Sequence, residues 1–195
     1  MIRKEKAQLP TKYGDFIIQA YIRPDNSEMP HLALLHKNLD IEKAVVIRIH
    51  SECITGDLFG SKRCDCGEQL NRSLEILNEN QGVLIYLRQE GRGIGILNKL
   101  RAYNHQDEGM NTIEANEALG FMPDERNYAV ALNILEDLGI QKIKLLTNNP
   151  EKINAFNNTR IQVVERLPLV IEPNETNQSY LDTKESKLGH MFKNS

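Results

Sequence analysis

The sequence predicts an α/β fold: a single domain with a mixed sheet flanked by helices and an antiparallel strand region at its N-terminus. Three observations carry this expectation. Strand-like runs at 15–22, 31–35 and 44–50, separated by short breaks, open the chain, and such runs pair antiparallel. From about residue 68 onward, helical periodicity alternates with short apolar runs, the pattern of a sheet covered by helices. No repeat, low-complexity tract or linker divides the 195 residues, so 1–195 reads as one domain.

Residues 1–8 are polar and read as a frayed end. Phe16, Ile17, Ile18 and Ile22 mark the first strand; 24–30, bounded by Pro24 and Pro30, reads as a turn-rich loop. The strand at 44–50 is rich in β-branched residues and leads into a loop holding Cys53, Cys64 and Cys66. Leu70, Leu74 and Leu77 share one face of a helix that begins near Glu68. Gly82 punctuates, and 83–87 reads as a buried strand, followed by the glycine-rich 88–95 and a helix to about Asp107.

Asn111 and Glu114 have the spacing of a capping box for a short helix ending near Gly120. A helix fits 128–138, closed by Gly139. The strand at 143–146 runs into Thr147-Asn-Asn-Pro-Glu-Lys152, where Asn149 caps a helix with Pro150 in its first turn. Late strands are expected at 161–164 and 169–171, a polar loop at 174–178 and a final helix at 180–192.

Composition narrows the function. No apolar stretch follows a basic start, so no signal peptide is expected, and no run reaches the roughly 18 apolar residues of a membrane span. Three cysteines form an odd, low count that fits a reducing cytoplasm rather than a disulfide framework. A net charge of −3 and a pI near 6.0 argue against nucleic acid as partner. Arg88, Arg92, Lys99 and Arg101 nevertheless stand against the single acid Glu90 within 88–101. That segment is either a solvated helix face or a site for a small anionic ligand.

The cysteines are the strongest chemical signal. Cys-x10-Cys-x-Cys confines three thiols to one loop. Zinc is normally four-coordinate, so three thiolates leave one position for water, and such a water becomes a nucleophile near neutral pH. Two other readings stand beside this. His50 has the spacing of a fourth ligand in a closed structural site, and reduced cysteines are often simply buried.

Four further groups are candidates for chemistry, each with a bland alternative: a tight packing loop for the glycines, a plain N-cap for Asp124, an ordinary capped turn for Thr147 to Lys152, and surface or capping roles for the acids. Gly91, Gly93 and Gly95 lie between a strand and a helix, where backbone N–H groups approach phosphate, and Arg88 and Arg92 flank them. Asp124 and Arg126 precede a helix; Asp124 has the position of an N-cap, while Arg126 is unfavourably placed in a first turn. Thr147 and Lys152 follow a strand end, where ligands of α/β sheets bind. Tyr103 and Gln69 offer an aromatic face and an amide, and Glu52, Glu90 and Glu114 are acids able to accept the N–H donors of a guanine edge.

The long segments R-I-H-S-E-C-I-T-G-D-L-F-G-S-K-R-C-D-C-G-E-Q-L and Y-L-R-Q-E-G-R-G-I-G-I-L-N-K-L-R-A-Y, followed in order by T-I-E-A-N, L-G-F-M-P-D-E-R and L-L-T-N-N-P-E-K, resemble GTP cyclohydrolase II, the first committed enzyme of riboflavin biosynthesis. The resemblance runs from about Leu9 to about Met191. It implies that Cys53, Cys64 and Cys66 bind one zinc ion per subunit, and that Arg48, Ile49, His50, Ser51, Glu52, Gln69, Glu90, Gly91, Arg92, Thr112, Thr147 and Lys152 line the GTP site. Asp124 would be the proton acceptor, Arg126 the nucleophile toward the α-phosphorus, and Tyr103 an aid to the imidazole chemistry.

A homodimer and magnesium with the triphosphate are implied as well, in a chain too short for the dihydroxybutanone-phosphate synthase domain fused in some relatives. Three thiolates make zinc a soft Lewis acid; Arg63 or Arg101 is expected to offset their charge.

Overall fold

The computed structural model describes residues 2–23, 26–122, 124–172 and the isolated positions 175, 177, 189 and 191. Seven strands form one sheet: β1 (Ile2–Thr11), β2 (Gly14–Arg23), β3 (Asn26–His36), β4 (Val45–Ser51), β5 (Val83–Leu87), β6 (Lys142–Leu146) and β7 (Gln162–Leu167). Their spatial order is β1-β2-β3-β5-β4-β6-β7. β1, β2, β3 and β5 pair antiparallel in succession, whereas β5, β4, β6 and β7 run parallel. The mixed α/β sheet with an antiparallel N-terminal region is as the sequence predicts.

Among the described residues the helices are α1 (Ile54–Asp57), α2 (Cys66–Glu79), α3 (Gly95–Asp107), α4 (Thr112–Ala118), α5 (Ala129–Asp137) and α6 (Pro150–Asn154). A 3-10 turn, Glu90–Gly93, precedes α3. No helix among the described residues is long and apolar enough to cross a membrane.

Alternation along the central strands builds two cores. Val45, Ile47 and Ile49 of β4 join Val83 and Ile85 of β5, Ile143 and Leu145 of β6, and Ala131, Ile134 and Leu135 of α5. Val46 and Leu84 instead pack with Leu74 and Leu77 of α2 and with Phe16. The period of two therefore leaves Arg48 and His50 on the same face of β4 as Val46. β4 sits between β5 and β6, both parallel to it, so a switch point lies at the C-terminal end of β4, where α/β sheets bind ligands.

Three local expectations are corrected. Residues 2–8, read as a frayed end, are strand: among the described residues β1 is an edge strand paired only with β2, and its exposed residues show no apolar alternation because no core faces them. Strand structure reaches back to Asn26, through Pro30. β3 meets β5 only at Leu32–Leu35, so Pro30 removes no ladder bond on that side.

Residues 169–171 form no strand. Leu169 pairs instead with the Asn148 side chain, its N–H donating to Oδ1 at 3.0 Å and its carbonyl accepting from Nδ2 at 2.6 Å. The final helix expected at 180–192 lies outside the described residues, apart from positions 189 and 191.

Candidate active site

The three cysteines converge because α1 and the start of α2 touch backbone to backbone. A Cβ on Gly67 would lie 2.2 Å from the Gly56 carbonyl oxygen, so only glycine permits this approach. The Sγ atoms of Cys53, Cys64 and Cys66 all lie within 4.8 Å of one another, with Cys53 and Cys64 3.7 Å apart.

A tetrahedral site with metal–sulfur bonds of about 2.3 Å has edges of about 3.8 Å, whereas a disulfide requires about 2.05 Å. The spacing fits a metal, and all three thiols are free. Hydrogen bonds from Cys64 and Cys66, then Lys99, hold the Cys53 thiol well below its ordinary range. Hydrogen bonding to Cys53 pushes Cys64 up to about 11 and Cys66 well above its usual value. Metal binding requires thiolates, so a cation at this cluster and loss of the thiol protons go together.

His50 is not part of this cluster. Its Nε2 meets Asp57 Oδ1 and Oδ2 at 3.0 and 3.1 Å, and its ring stacks on Tyr86. Burial, partly opposed by Asp57, lowers its pKa. Asp57 Oδ2 also accepts from the Cys53 N–H at 3.0 Å and the Tyr86 hydroxyl at 2.8 Å. This carboxylate, one turn from Cys53, anchors the first cysteine; sequence inspection missed it because an acid in a short loop looks like a surface residue.

A cavity of about 640 Å³ opens beside the cysteines. Its lining contains Cys53, Cys64 and Cys66 together with Arg48, His50, Ser51, Glu52, Gln69, Glu90, Gly91, Arg92, Tyr103, Thr112, Arg126, Thr147 and Lys152. Two residues named from the resemblance stand outside it. Ile49 is wholly buried in the core, and only its carbonyl turns toward the site, accepting from Lys152 Nζ at 2.6 Å. Asp124 lies behind Arg126: it accepts from the Arg126 N–H at 3.0 Å and Nε at 2.8 Å, and pairs with the terminal guanidinium nitrogen.

Burial alone would raise the Asp124 carboxyl, but Arg126 holds it below the usual carboxylate range. Asp124 caps no helix; α5 starts at Ala129, whose N–H is accepted by Asn127 Oδ1 at 2.8 Å.

One part of the cavity is cationic. The 3-10 turn places Gly91 and Arg92 at φ of 62° and 59°, and the Arg92 carbonyl accepts from the Glu125 N–H at 3.0 Å. That contact ties the glycine loop to the Asp124–Arg126 segment. Arg126 and Lys152 both approach the Tyr128 ring, at 5.8 Å each.

Arg48 donates to the Leu146 carbonyl at 3.0 Å and to Gln69 Oε1 at 2.6 Å, and Gln69 Nε2 donates on to Asp65. Burial lowers the Arg48 guanidinium to about 10, which leaves it charged at neutral pH. Asn149 caps α6 by accepting from the Glu151 N–H, and Asn111 and Glu114 close the capping box of α4, both as read from sequence.

The other part of the cavity holds the thiols. Tyr103 Oη lies 3.3 Å from Thr55 Oγ1, and burial raises its pKa. The Arg63 guanidinium sits 4.8 Å from the Tyr103 ring centroid and pairs with Asp107. Arg101, the other cation expected to offset the thiolates, is exposed and bonded to Asn98. Among the described residues the cation that reaches sulfur is Lys99, whose Nζ lies 3.1 Å from Cys53 Sγ. Among the acids considered for a guanine edge, Glu52 and Glu90 line the cavity and Glu114 does not.

Comparison with known proteins places the chain. A sequence model of the GTP cyclohydrolase II family matches residues 2–168. The GTP cyclohydrolase-2 of Blochmanniella floridana is 52% identical over 191 residues, covering 97% of this chain and 96% of that protein. The riboflavin biosynthesis protein RibBA of Bacillus cereus strain G9842 is 52% identical over 97% of this chain but 48% of its own length. RibBA of Chlorobium phaeovibrioides is 48% identical over 97% of this chain and 46% of its own length. The chain thus spans about half the length of these RibBA relatives.

A crystal structure of RibBX, a two-domain 3,4-dihydroxy-2-butanone 4-phosphate synthase from A. baumannii, superposes with a TM-score of 0.50 over 88% of this chain and 40% of that one. At 23% identity that likeness concerns the fold alone. With the family pattern extending from the first strand of the sheet to the end of the last, the chain belongs to the GTP cyclohydrolase II family.

Proposed function

We propose that the chain hydrolyses GTP with opening of the imidazole ring, releasing formate and pyrophosphate and leaving 2,5-diamino-6-ribosylamino-4(3H)-pyrimidinone 5′-phosphate, the entry step of riboflavin biosynthesis. The reading includes zinc at Cys53, Cys64 and Cys66, magnesium with the triphosphate, a homodimer and a cytoplasmic site of action. The observation that carries it is that one cavity joins a three-thiol cluster to Arg48, Arg92, Arg126 and Lys152. The two reactions are at opposite ends of the nucleotide, and the cavity offers a different chemistry for each.

A zinc ion held by the three thiolates supplies Lewis-acid activation of water at neutral pH. In this reading Tyr103, whose hydroxyl lies near Thr55 and stays protonated because burial raises its pKa, donates a hydrogen bond to the purine as its imidazole ring opens. On the phosphate side, Arg126 and Arg92 offset the charge that develops as pyrophosphate departs.

Asp124 holds the Arg126 guanidinium through two nitrogens, which fixes its plane. A carboxylate below its usual range is a poor base, so Asp124 serves better as an anchor than as proton acceptor. A guanidinium stays protonated and is likewise a poor nucleophile, so charge stabilisation is the role we assign to Arg126.

The test is to incubate zinc- and magnesium-replete protein with GTP and assay formate, pyrophosphate and the pyrimidine product. All three products are expected. Pyrophosphate without formate would reduce the activity to a nucleotide pyrophosphohydrolase, and no turnover would leave a binding module. Cys64→Ser is expected to abolish formate release while some pyrophosphate release persists; full formate production by that variant would remove the thiols from the ring chemistry.

A further inference from the structure

Lys99 lies on α3 and is 9% exposed, yet no part of the proposed reaction uses it. Its Nζ meets three acceptors: Cys53 Sγ at 3.1 Å, Thr55 Oγ1 at 2.8 Å and Glu90 Oε1 at 2.8 Å. An ammonium has three donors, so the set is complete. The acceptors come from the residue before α1, from α1 and from the glycine loop.

Each acceptor leads to another part of the site. Thr55 Oγ1 also lies 3.3 Å from the Tyr103 hydroxyl. Glu90 accepts from the Gly91 N–H at 2.8 Å through Oε1 and from the Ile54 N–H at 2.6 Å through Oε2. Cys53 is one of the three clustered thiols.

We propose that Lys99 is a positioning residue of this site: its ammonium fixes Cys53, the Thr55–Tyr103 pair and the glycine loop as one unit, and its N–H bond draws electron density from the Cys53 sulfur. The inference rests on the reading that the thiols hold a metal. Partners behind metal ligands orient them and tune the ion, and their loss typically weakens metal binding by about 10–100-fold. Three thiolates on a dication leave an excess negative charge, and Lys99 is the cation in hydrogen-bond contact with one of those sulfurs among the described residues. A purely structural Lys99–Glu90 pair would hold the loop and leave the sulfur unaffected, so the experiment must read the sulfur itself.

Cobalt(II) in the 195-residue chain does so, because sulfur-to-cobalt charge-transfer absorption moves to longer wavelength when a thiolate loses a hydrogen-bond donor. Lys99→Met is expected to move the band that way and to weaken zinc binding about 10–100-fold in chelator competition. Because Lys99→Met strands a buried carboxylate, Lys99→Met with Glu90→Gln removes both partners of the ion pair and protects folding; the same band shift is expected. Glu90→Gln alone keeps the sulfur contact and is expected to leave the band in place. A wild-type band in the double variant, or an equal shift in Glu90→Gln alone, would overturn the inference. A wild-type protein that binds neither zinc nor cobalt would overturn the metal reading with it.

Discussion

Asp57→Ala is the most demanding test of how the site is held together. The Asp57 side chain is 6% exposed and satisfies the His50 ring nitrogen, the Cys53 N–H and the Tyr86 hydroxyl. Each buried donor left without an acceptor costs about 1–3 kcal/mol. Allowing for some rotation of the Tyr86 hydroxyl, the three donors together imply a loss of about 3–6 kcal/mol, a large part of the roughly 5–15 kcal/mol that holds a domain folded.

With a urea slope of about 2 kcal/mol per molar, the unfolding midpoint falls by about 1.5–3 M. The assay is urea unfolding of metal-free protein, which separates this effect from metal binding. Asp57→Asn keeps the shape but replaces one acceptor by a donor, so its midpoint should lie between the two. A midpoint for Asp57→Ala within about 0.5 M of wild type would refute the argument that this carboxylate anchors the cysteine loop, since it corresponds to about 1 kcal/mol at that slope.

Two further outcomes follow from the geometry. Gly67→Ala places a methyl 2.2 Å from the Gly56 carbonyl oxygen, forcing α1 and α2 apart at a cost of about 1–3 kcal/mol. Zinc competition should register this as roughly 5- to 150-fold weaker binding at about 1.4 kcal/mol per factor of ten, and a change under twofold would mean the backbone contact does not assemble the thiols. Asp124→Asn should lower stability by about 1–2 kcal/mol at neutral pH. The folded-state carboxyl lies below 3.8, so its contribution is present above that value and lost as pH falls through the folded one. Wild type and variant should therefore converge in acid, and a gap that stays constant down to pH 2 would show that the Arg126 pairing is not its source.

What was legible in the sequence was local. The capping box at Asn111 and Glu114, the Asn149 cap before Pro150 and the Leu74–Leu77 face of α2 are set by residues a few positions apart, and each formed as read. Edge strands were illegible because β1 obtains its order from pairing with β2 rather than from an apolar face. Asp57 and Lys99 were illegible for a related reason. A lone acid reads as solvated by composition, and the basic segment holding Lys99 reads either as a solvated face or as an anion site, with nothing in it that points to sulfur. Only the fold brings Lys99 to Cys53, 46 positions away, and Tyr86 to Asp57, 29 positions away.

One non-local feature nevertheless left a trace. β4 is buried on both faces, and such strands read as continuous apolar runs. Arg48 and His50 interrupt this one on alternate positions, between Ile47 and Ile49 and beyond. Both are buried, at 5% and 2% exposure, where an unpaired charge or polar group costs several kcal/mol. They are tolerable only because partners arrive from elsewhere: Gln69 and the Leu146 carbonyl for Arg48, Asp57 for His50. A central strand that turns polar on one face at its C-terminal end therefore requires a polar structure facing it there. In this fold that structure is the cysteine loop and the start of α2, which together form one wall of the cavity.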